Sequence, residues 1–355
     1  MTPLEDRVSI ATLVNTANDR FRRGLTHRTW WVRGFSVLAL CLLLGAPVGA
    51  VLGLLGWMYG TAALVALIVA YWILRSTLVG LLSTIAIITL LPFAALPFDV
   101  GFTPTFLDLA LAGLYLVWLS RIMARRDTRF VTTPTTLPLL IFIMLAIVSY
   151  VRGLEHAPLT ANNLRHFAEI LLSLGLFIVV TNIVRSRQRL QIAVVALIIG
   201  GTISALIGIV LYVLPPDLSS RILSALRVVR YPSGIGVLRY VEDNPALPLR
   251  AISTSVDPNV LGGLLIFTTT ITAALALAPK PPLPRVILFG MAGVMAICMV
   301  LTYSRGSFAG LAVAVGLLAV LRYRKLAWFG VLAIALLFLL PWTQDYVAHF
   351  IEGVQ

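Results

Sequence analysis

The chain has 355 residues, of which 59% are hydrophobic and only 12% are charged, and its formal net charge is +13. Its mean hydropathy of +0.98 leaves too little polar surface to cover a soluble fold of this length. A disulfide-stabilised secreted domain is excluded as well, because both cysteines, Cys41 and Cys298, lie inside apolar segments. The expected fold class is therefore all-α, a polytopic bundle of membrane helices.

The apolar segments divide at charged residues, proline and glycine into stretches close to the roughly 20 residues that cross a bilayer. A basic and polar arm, residues 1–33, comes first, and its apolar residues at helical spacing predict an interfacial helix on the cytoplasmic face. Eleven transmembrane spans are predicted after it, at about 34–56, 57–74, 77–96, 106–123, 137–151, 167–184, 192–214, 259–278, 286–303, 306–321 and 326–341. Residues 34–341 then form one transmembrane bundle, and residues 342–355 begin an external loop.

The segment 286–321 contains one interruption, at Thr302-Tyr303-Ser304-Arg305-Gly306. A single helix over this segment has a length of about 54 Å, far more than the hydrocarbon core. We therefore predict two spans joined by a tight turn, with Arg305 at a membrane surface. A permanent charge between two apolar segments is typical of an arginine with an anionic partner or ligand.

The basic residues divide unevenly between alternate loops. The set that includes the N-terminal arm holds 19 of the 27 Lys and Arg residues and only four of the 14 acids. The positive-inside rule then predicts a cytoplasmic N terminus. The other eight are expected outside: Arg152, Arg165, Arg221, Arg227, Arg230, Arg239, Arg250 and Arg305. Topology and anionic lipid explain the cytoplasmic excess, so no nucleic-acid partner is expected.

The longest internal loop, at about 215–258, is expected on the external face and is expected to be structured. Ser219-Ser220 predicts the cap of a short amphipathic helix, through Ile222 to Val229, of the kind that lies on a membrane surface. A short strand is predicted within Ile235 to Val241.

Two motifs flank the span pair that follows this loop. Arg250 precedes Thr254-Ser255-Val256-Asp257-Pro258-Asn259 at the start of one span, and Ser304-Arg305-Gly306 follows the next span. Over about 250–325 this pattern resembles the O-antigen ligase/polymerase superfamily, and Arg165-His166, before the sixth predicted span, has a compatible spacing. The resemblance implies a metal-independent membrane glycosyltransferase of the GT-C type. Such an enzyme passes a glycan from an undecaprenyl-diphosphate donor to lipid A-core or a growing polysaccharide, on the outer face of a bacterial plasma membrane.

The residue types fit this chemistry independently of the resemblance. A diphosphate leaves as a stabilised anion, so it needs neutralising charge more than a protonating acid, and guanidinium groups bind phosphate oxygens bidentately. Arg250 and Arg305 are the candidate catalytic residues, binding the diphosphate and stabilising its developing charge. The candidate substrate-binding residues are Asp257, Asn259, Ser304, Arg165 and His166, of which Asp257 and Asn259 are expected to cap the eighth span or orient the arginines.

The chain departs from the family pattern near its end. Family members continue into a large external loop with a catalytic His, often followed by Asn, and then a last span. This sequence ends at Gln355, about fourteen residues into that loop, and His349 is followed by Phe350. We therefore expect the rest of the loop, the general base and the last span to lie outside this sequence; the alternative is an inactive donor-binding relative.

Other interpretations stay open at this point. Asp257-Pro258-Asn259 is also an ordinary helix start, and Arg305 is also placed to end a helix beside lipid headgroups. A transporter or flippase for a lipid-linked or anionic substrate is the competing class. Its candidate positions for broken helices are Pro47, Pro92, Pro97 and the glycine pairs at 200–201 and 262–263. No metal-ligand spacing is visible, so neither metal nor cofactor is expected. The expected partners are the lipid-linked donor, a glycan or lipid acceptor and membrane lipids, with the oligomeric state open.

Overall fold

The structure is a computed structural model that describes residues 60, 70–72, 75–96, 103–124, 130–156, 159–232 and 234–321. The chain divides into two compact units, Met1–Trp72 and Ile73–Gln355, and nearly all described residues belong to the second. The predicted interfacial helix within 1–33, the spans 34–56 and 326–341, most of the span 57–74 and the segment 342–355 lie outside the described residues.

The described ranges are mostly helical, which confirms the predicted all-α class. Their α-helices are α1 Thr77–Leu90, α2 Phe106–Met123, α3 Thr136–Gly153, α4 Ala161–Ile183, α5 Arg187–Val213, α6 Pro216–Ala225, α7 Pro258–Ala276, α8 Arg285–Leu301 and α9 Arg305–Leu321. All but α6 coincide with predicted spans. A two-stranded antiparallel ribbon joins β1 Arg239–Tyr240 to β2 Leu249–Arg250.

Helix length and apolar surface support a membrane location. Among the described residues, five helices are long and apolar enough to cross a bilayer: α2, α3, α4, α5 and α7. The α3 helix is the most exposed, with Leu137 and Met144 both 67% accessible, and such surface is unfavourable in water. An all-α membrane protein is therefore supported, whereas the total of eleven spans and the GT-C-like arrangement remain predictions.

Consecutive spans run in alternate directions, which separates the loops onto two ends. Arg121, near the end of α2, donates to the carbonyl of Arg75 before α1, at 3.2 Å. At the other end, Arg165 near the start of α4 contacts Asp108 near the start of α2. The connections α1–α2, α3–α4, α5–α7 and α8–α9 share this second end, hereafter the long-loop end. All described acids lie at or near it, in agreement with the predicted division of charge; which end faces the cytoplasm remains a prediction.

Some predicted boundaries are wrong for local reasons. The α1 helix ends at Leu90 rather than at residue 96, because Pro92 disfavours helical backbone in the residue before it. The α4 helix starts at Ala161 rather than 167, because the Thr160 side chain accepts a hydrogen bond from Asn163 N–H and caps the helix earlier. Arg165 and His166 therefore lie on α4 rather than before it.

The glycine pairs do not break their helices. The α5 helix is continuous through 200–201 and α7 is continuous through 262–263, so neither glycine pair marks a broken helix. At Gly201 a Cβ would lie 2.8 Å from the Cβ of Thr268 on α7, so glycine is needed for the two helices to approach. Small residues at close helix contacts are typical of membrane bundles, where lipid competes equally well for apolar side chains.

The long loop between α5 and α7 folds as a small layer at the long-loop end. Its predicted helix exists as α6 but begins at Pro216 instead of being capped by Ser219, because proline suits the first helical turn. Ser219 is instead buried, and its hydroxyl donates to the carbonyl of Leu211 at 2.8 Å. Within the predicted strand 235–241, only Arg239–Tyr240 is extended. An apolar cluster unites the layer: Leu211, Leu223, Val237, Leu238 and Ile252.

Candidate functional site

Arg250 lies at the centre of the motifs singled out from the sequence. It ends β2, and its side chain crosses to the turn between α8 and α9, where Nε donates to the carbonyl of Thr302 at 2.8 Å. One terminal nitrogen donates to Asn259 Oδ1 at 3.1 Å and lies 3.5 Å from the carbonyl of Tyr303. The guanidinium thus joins three segments that are as much as 53 residues apart in sequence.

The turn that receives Arg250 is held rigidly. The backbone N–H of Ala251 donates to the carbonyl of Leu301 at 2.7 Å, fastening the ribbon to the end of α8. The Thr302 hydroxyl donates to the carbonyl of Met299 at 2.7 Å and accepts from Ser304 N–H at 3.3 Å. Tyr303 adopts a φ of 51°, a left-handed conformation that is uncommon outside glycine and found at functional sites. The predicted tight turn before Arg305 is confirmed.

The start of α7 supplies the second side of the site. Asp257 is its N-cap, and Oδ1 accepts from the N–H groups of Asn259 and Val260 at 2.6 and 3.2 Å. Val256 just before it has a φ of 57°, an outlier for a β-branched residue. Asp257 thus caps α7, and Asn259 accepts a hydrogen bond from Arg250. These are the capping and orienting roles expected from the sequence.

Ser304 faces the packing contact between α7 and α9 rather than an open surface. It is 4% exposed, and its hydroxyl accepts from the Ser307 hydroxyl at 2.9 Å. A Cβ on Gly262 would lie 2.8 Å from the Cβ of Ser307, so glycine lets α7 approach this pair. Burial of Ser304 favours a role in positioning the Arg305 turn over direct contact with a substrate.

Arg305 is the first residue of α9 and is half-buried. It lies two residues after Tyr303, whose carbonyl faces Arg250, so the two candidate catalytic arginines start from neighbouring points. Within the described residues, the Arg305 side chain has no hydrogen bond and no ion pair. The N–H groups of Ser307 and Phe308 bond to the carbonyl of Ser304, which leaves those of Arg305 and Gly306 available at the helix start.

Arg239 is a basic residue of the site that sequence reasoning missed. In the ribbon it pairs directly with Arg250, so both side chains start from the same face with Cβ atoms about 5 Å apart. Its ion pair with Asp243 is long, at 3.9 Å, and that carboxylate is 83% exposed. The only sequence signal was its membership in the external basic set, because a strand of two residues leaves no periodicity to detect.

Arg239, Arg250 and Arg305 therefore belong to neighbouring segments at the long-loop end. Like charges placed directly across a ribbon are destabilising, and the carboxylate of Asp257 already accepts two backbone hydrogen bonds. Guanidinium groups stay charged at any physiological pH. The arrangement of Arg239, Arg250 and Arg305 is thus suited to an anion with several oxygens, which forms bidentate contacts and relieves the repulsion.

Arg165 and His166 lie in a different cluster. Arg165 contacts Asp108 Oδ2 at 3.2 Å and Glu169 Oε1 at 2.8 Å, and His166 Nδ1 lies 3.1 Å from Glu169 Oε2. This cluster lies on α2 and α4, whereas the Arg250 site is formed by the α7–α9 group. Two carboxylates here offset the charge of Arg165, which favours a structural link between α2 and α4; the predicted substrate-binding role of both residues stays a prediction.

Metal chemistry has no support from the part of the chain that the structure describes. There, no group of three or more His, Cys, Asp or Glu side chains is placed to hold a metal ion. Buried Cys298, on α8, belongs to an apolar cluster that also includes Ala251, the residue after Arg250.

Comparisons with known proteins give the site no relatives. No protein-family model, no curated protein and no solved structure matches the chain.

Proposed function

We propose that the chain transfers a glycan from an undecaprenyl-diphosphate-linked donor to a lipid A-core or polysaccharide acceptor, by ligation or polymerisation. In this proposal the long-loop end faces the outside of a bacterial plasma membrane. The resemblance over about 250–325 motivates the donor class. The observation that carries the proposal is that Arg250 contacts the α8–α9 turn, at which Arg305 begins α9. This contact brings together the two sequence motifs on which the resemblance rests.

The chemistry follows from charge. As the bond between sugar and diphosphate breaks, negative charge grows on the leaving oxygens. Preorganised donors aimed at that charge stabilise the transition state more than the ground state. Arg250 is held in position by Thr302 and Asn259, whereas Arg305 and the first N–H groups of α9 are available to the ligand. The N-terminal dipole of that helix also favours a phosphate.

The acceptor must lose a proton elsewhere. Neither arginine is a base at neutral pH, so transfer needs a further group that acts as the general base. Arg250 and Arg305 accordingly account for donor binding and departure of the diphosphate, and not for activation of the acceptor.

The test is glycan transfer by Arg250→Ala and Arg305→Ala variants, with membrane levels measured in parallel. Both variants should reach the membrane and leave surface polysaccharide at the level of a null strain. Arg285→Ala is the matched control, because Arg285 is exposed at the opposite end of the bundle and, within the described residues, donates only to the carbonyl of Ala278, at 3.3 Å. Normal surface polysaccharide in both site variants would falsify the proposal.

A vesicle assay separates transfer from transport. With lipid-linked glycan on one side, a transferase consumes the donor and forms a new linkage, whereas a flippase changes the sidedness of the donor without consuming it. An inactive donor-binding protein does neither but still retains the lipid diphosphate. The α5 and α7 helices are continuous, so their glycine pairs do not support the transport alternative.

A further inference from the structure

The α6 helix of the long loop has three distinct sides. Ser219 and Leu223, one turn apart, are 0% and 2% exposed and pack into the loop layer. Leu218 and Ile222 form a second stripe and are 43% and 44% exposed. At about 100° per residue this stripe points roughly 100° away from the buried side. The third side is polar and carries Asp217, Ser220, Ser224 and Arg221. A helix with adjacent packed, apolar and polar sides is suited to a boundary between hydrocarbon and water.

A hydrogen bond fixes the position of α6 beside the end of α5. The Ser219 hydroxyl donates to the carbonyl of Leu211, in the last turn of α5. Nearby on α5, Val210 and Val213 are 53% and 74% exposed, so the apolar surface of this candidate membrane span continues to its end. The stripe of α6 therefore lies beside the end of the apolar surface of α5.

Basic side chains accompany the apolar stripe. Arg221 lies on α6 and Arg227 on the 3-10 segment Leu226–Val229 that follows it, and both are exposed. Neither forms an ion pair with any residue that the structure describes. Lys and Arg side chains are attracted to an anionic bilayer, so this pair favours a surface that carries acidic headgroups.

We propose that α6 is an in-plane membrane anchor at the long-loop end. Leu218 and Ile222 enter the leaflet, and Arg221 and Arg227 bind anionic phospholipid headgroups. The anchor also reaches the Arg250 site, because buried Leu223 belongs to the same apolar cluster as Val237, Leu238 and Ile252, against which Tyr240 and Leu249 of the ribbon pack. The lipid surface thereby sets the distance between the membrane and the ribbon that carries Arg250.

Site-directed spin labelling tests the depth of the stripe. A nitroxide is attached at Ile222→Cys, in protein whose Cys41 and Cys298 are replaced by alanine, and reconstituted into liposomes. The label should be several-fold more accessible to dissolved oxygen, relative to a water-soluble nickel chelate, than the same label at Asp217→Cys. Equal ratios at the two positions would place α6 in water and overturn the proposal. Low accessibility to both reagents at Ile222→Cys would show a protein cover, and would overturn it as well.

Lipid composition tests the headgroup contact. The label at Ile222→Cys should report greater depth in vesicles containing phosphatidylglycerol than in pure phosphatidylcholine, and Arg221→Gln with Arg227→Gln should remove the difference. Equal depth in both vesicles for the parent protein would refute the role of anionic lipid. Both measurements are independent of glycan transfer, so their failure is distinguishable from failure of the proposed function.

Discussion

Replacement by alanine is expected to affect stability differently at Arg250 and at Arg305, because only the Arg250 side chain forms hydrogen bonds within the described part of the fold. Arg250 donates to Thr302 O at 2.8 Å and Asn259 Oδ1 at 3.1 Å, and hydrogen bonds from charged groups contribute about 1.5–3 kcal/mol each. Allowing for its partial exposure, Arg250→Ala should lower the free energy of unfolding by about 2–3 kcal/mol. Arg305 has no partner among the described residues, so Arg305→Ala should change it by less than about 0.5 kcal/mol.

Ligand binding should show the opposite sensitivity. If Arg305 contributes a bidentate contact to a diphosphate, its removal loses about 3 kcal/mol after allowance for exposure, which is roughly a 100-fold increase in Kd. Arg305→Lys keeps the charge but loses the fork, so an increase of about tenfold is expected. The prediction is therefore a variant of normal stability with weak donor binding.

The assay uses protein in nanodiscs, with thermal unfolding for stability and titration with undecaprenyl diphosphate for binding. Arg285→Ala again serves as the control for loss of a positive charge at the other end of the bundle. An unchanged Kd for Arg305→Ala would refute the assignment of Arg305 to the ligand. An equal loss in Arg285→Ala would show that binding depends on total charge rather than on this site.

Three further predictions concern the supports of the site. Gly262→Ala places a Cβ 2.8 Å from the Cβ of Ser307 and should cost about 1–3 kcal/mol of stability in thermal unfolding. A Cβ added at neighbouring Gly263 meets nothing within 4 Å, so Gly263→Ala should cost no stability. Asp257→Ala removes the cap of α7 and should cost about 1 kcal/mol in the same measurement, whereas an unchanged melting temperature would contradict the capping role. Burial raises the pKa of Tyr231, in the long loop, from 10.0 to about 12. The buried neutral phenol therefore contributes fully to the free energy of unfolding below pH 10, and this contribution is lost as the pH rises towards 12. The difference between ultraviolet titrations of the parent protein and of Tyr231→Phe should show a tyrosine that ionises late, and ionisation near the ordinary pKa would contradict its burial.

Much of the local architecture was predictable because its causes are local. The break between α8 and α9 follows from the length of a membrane helix, and the start of α7 follows from Asp257 and Pro258, which suit a cap and a first turn. The errors are also instructive. Ser219 resembled a cap, but its hydroxyl is used by Leu211 on α5, a contact that the spacing of polar residues in the loop does not encode.

The composition of the site depended on contacts that no local pattern reveals. Arg239 was one of eight external basic residues until the ribbon placed it opposite Arg250. Arg165 appeared equivalent to the other candidates, yet Asp108, 57 residues earlier in the sequence, contacts it. The sequence motifs indicated the right end of the bundle for Arg250, Asp257 and Asn259, but not which carbonyls receive the guanidinium.

The sequence by itself determined the all-α membrane class, the approximate positions of the described spans and the separation of charge between the two ends of the bundle. These properties follow from length and hydropathy, because each membrane helix must satisfy its own backbone hydrogen bonds within one continuous segment. Only the tertiary structure decided which arginines share a site and which are neutralised by acids. Those pairings depend on how helices distant in sequence pack, and that packing is set by small residues such as Gly201 and Gly262 whose contacts lie on other helices.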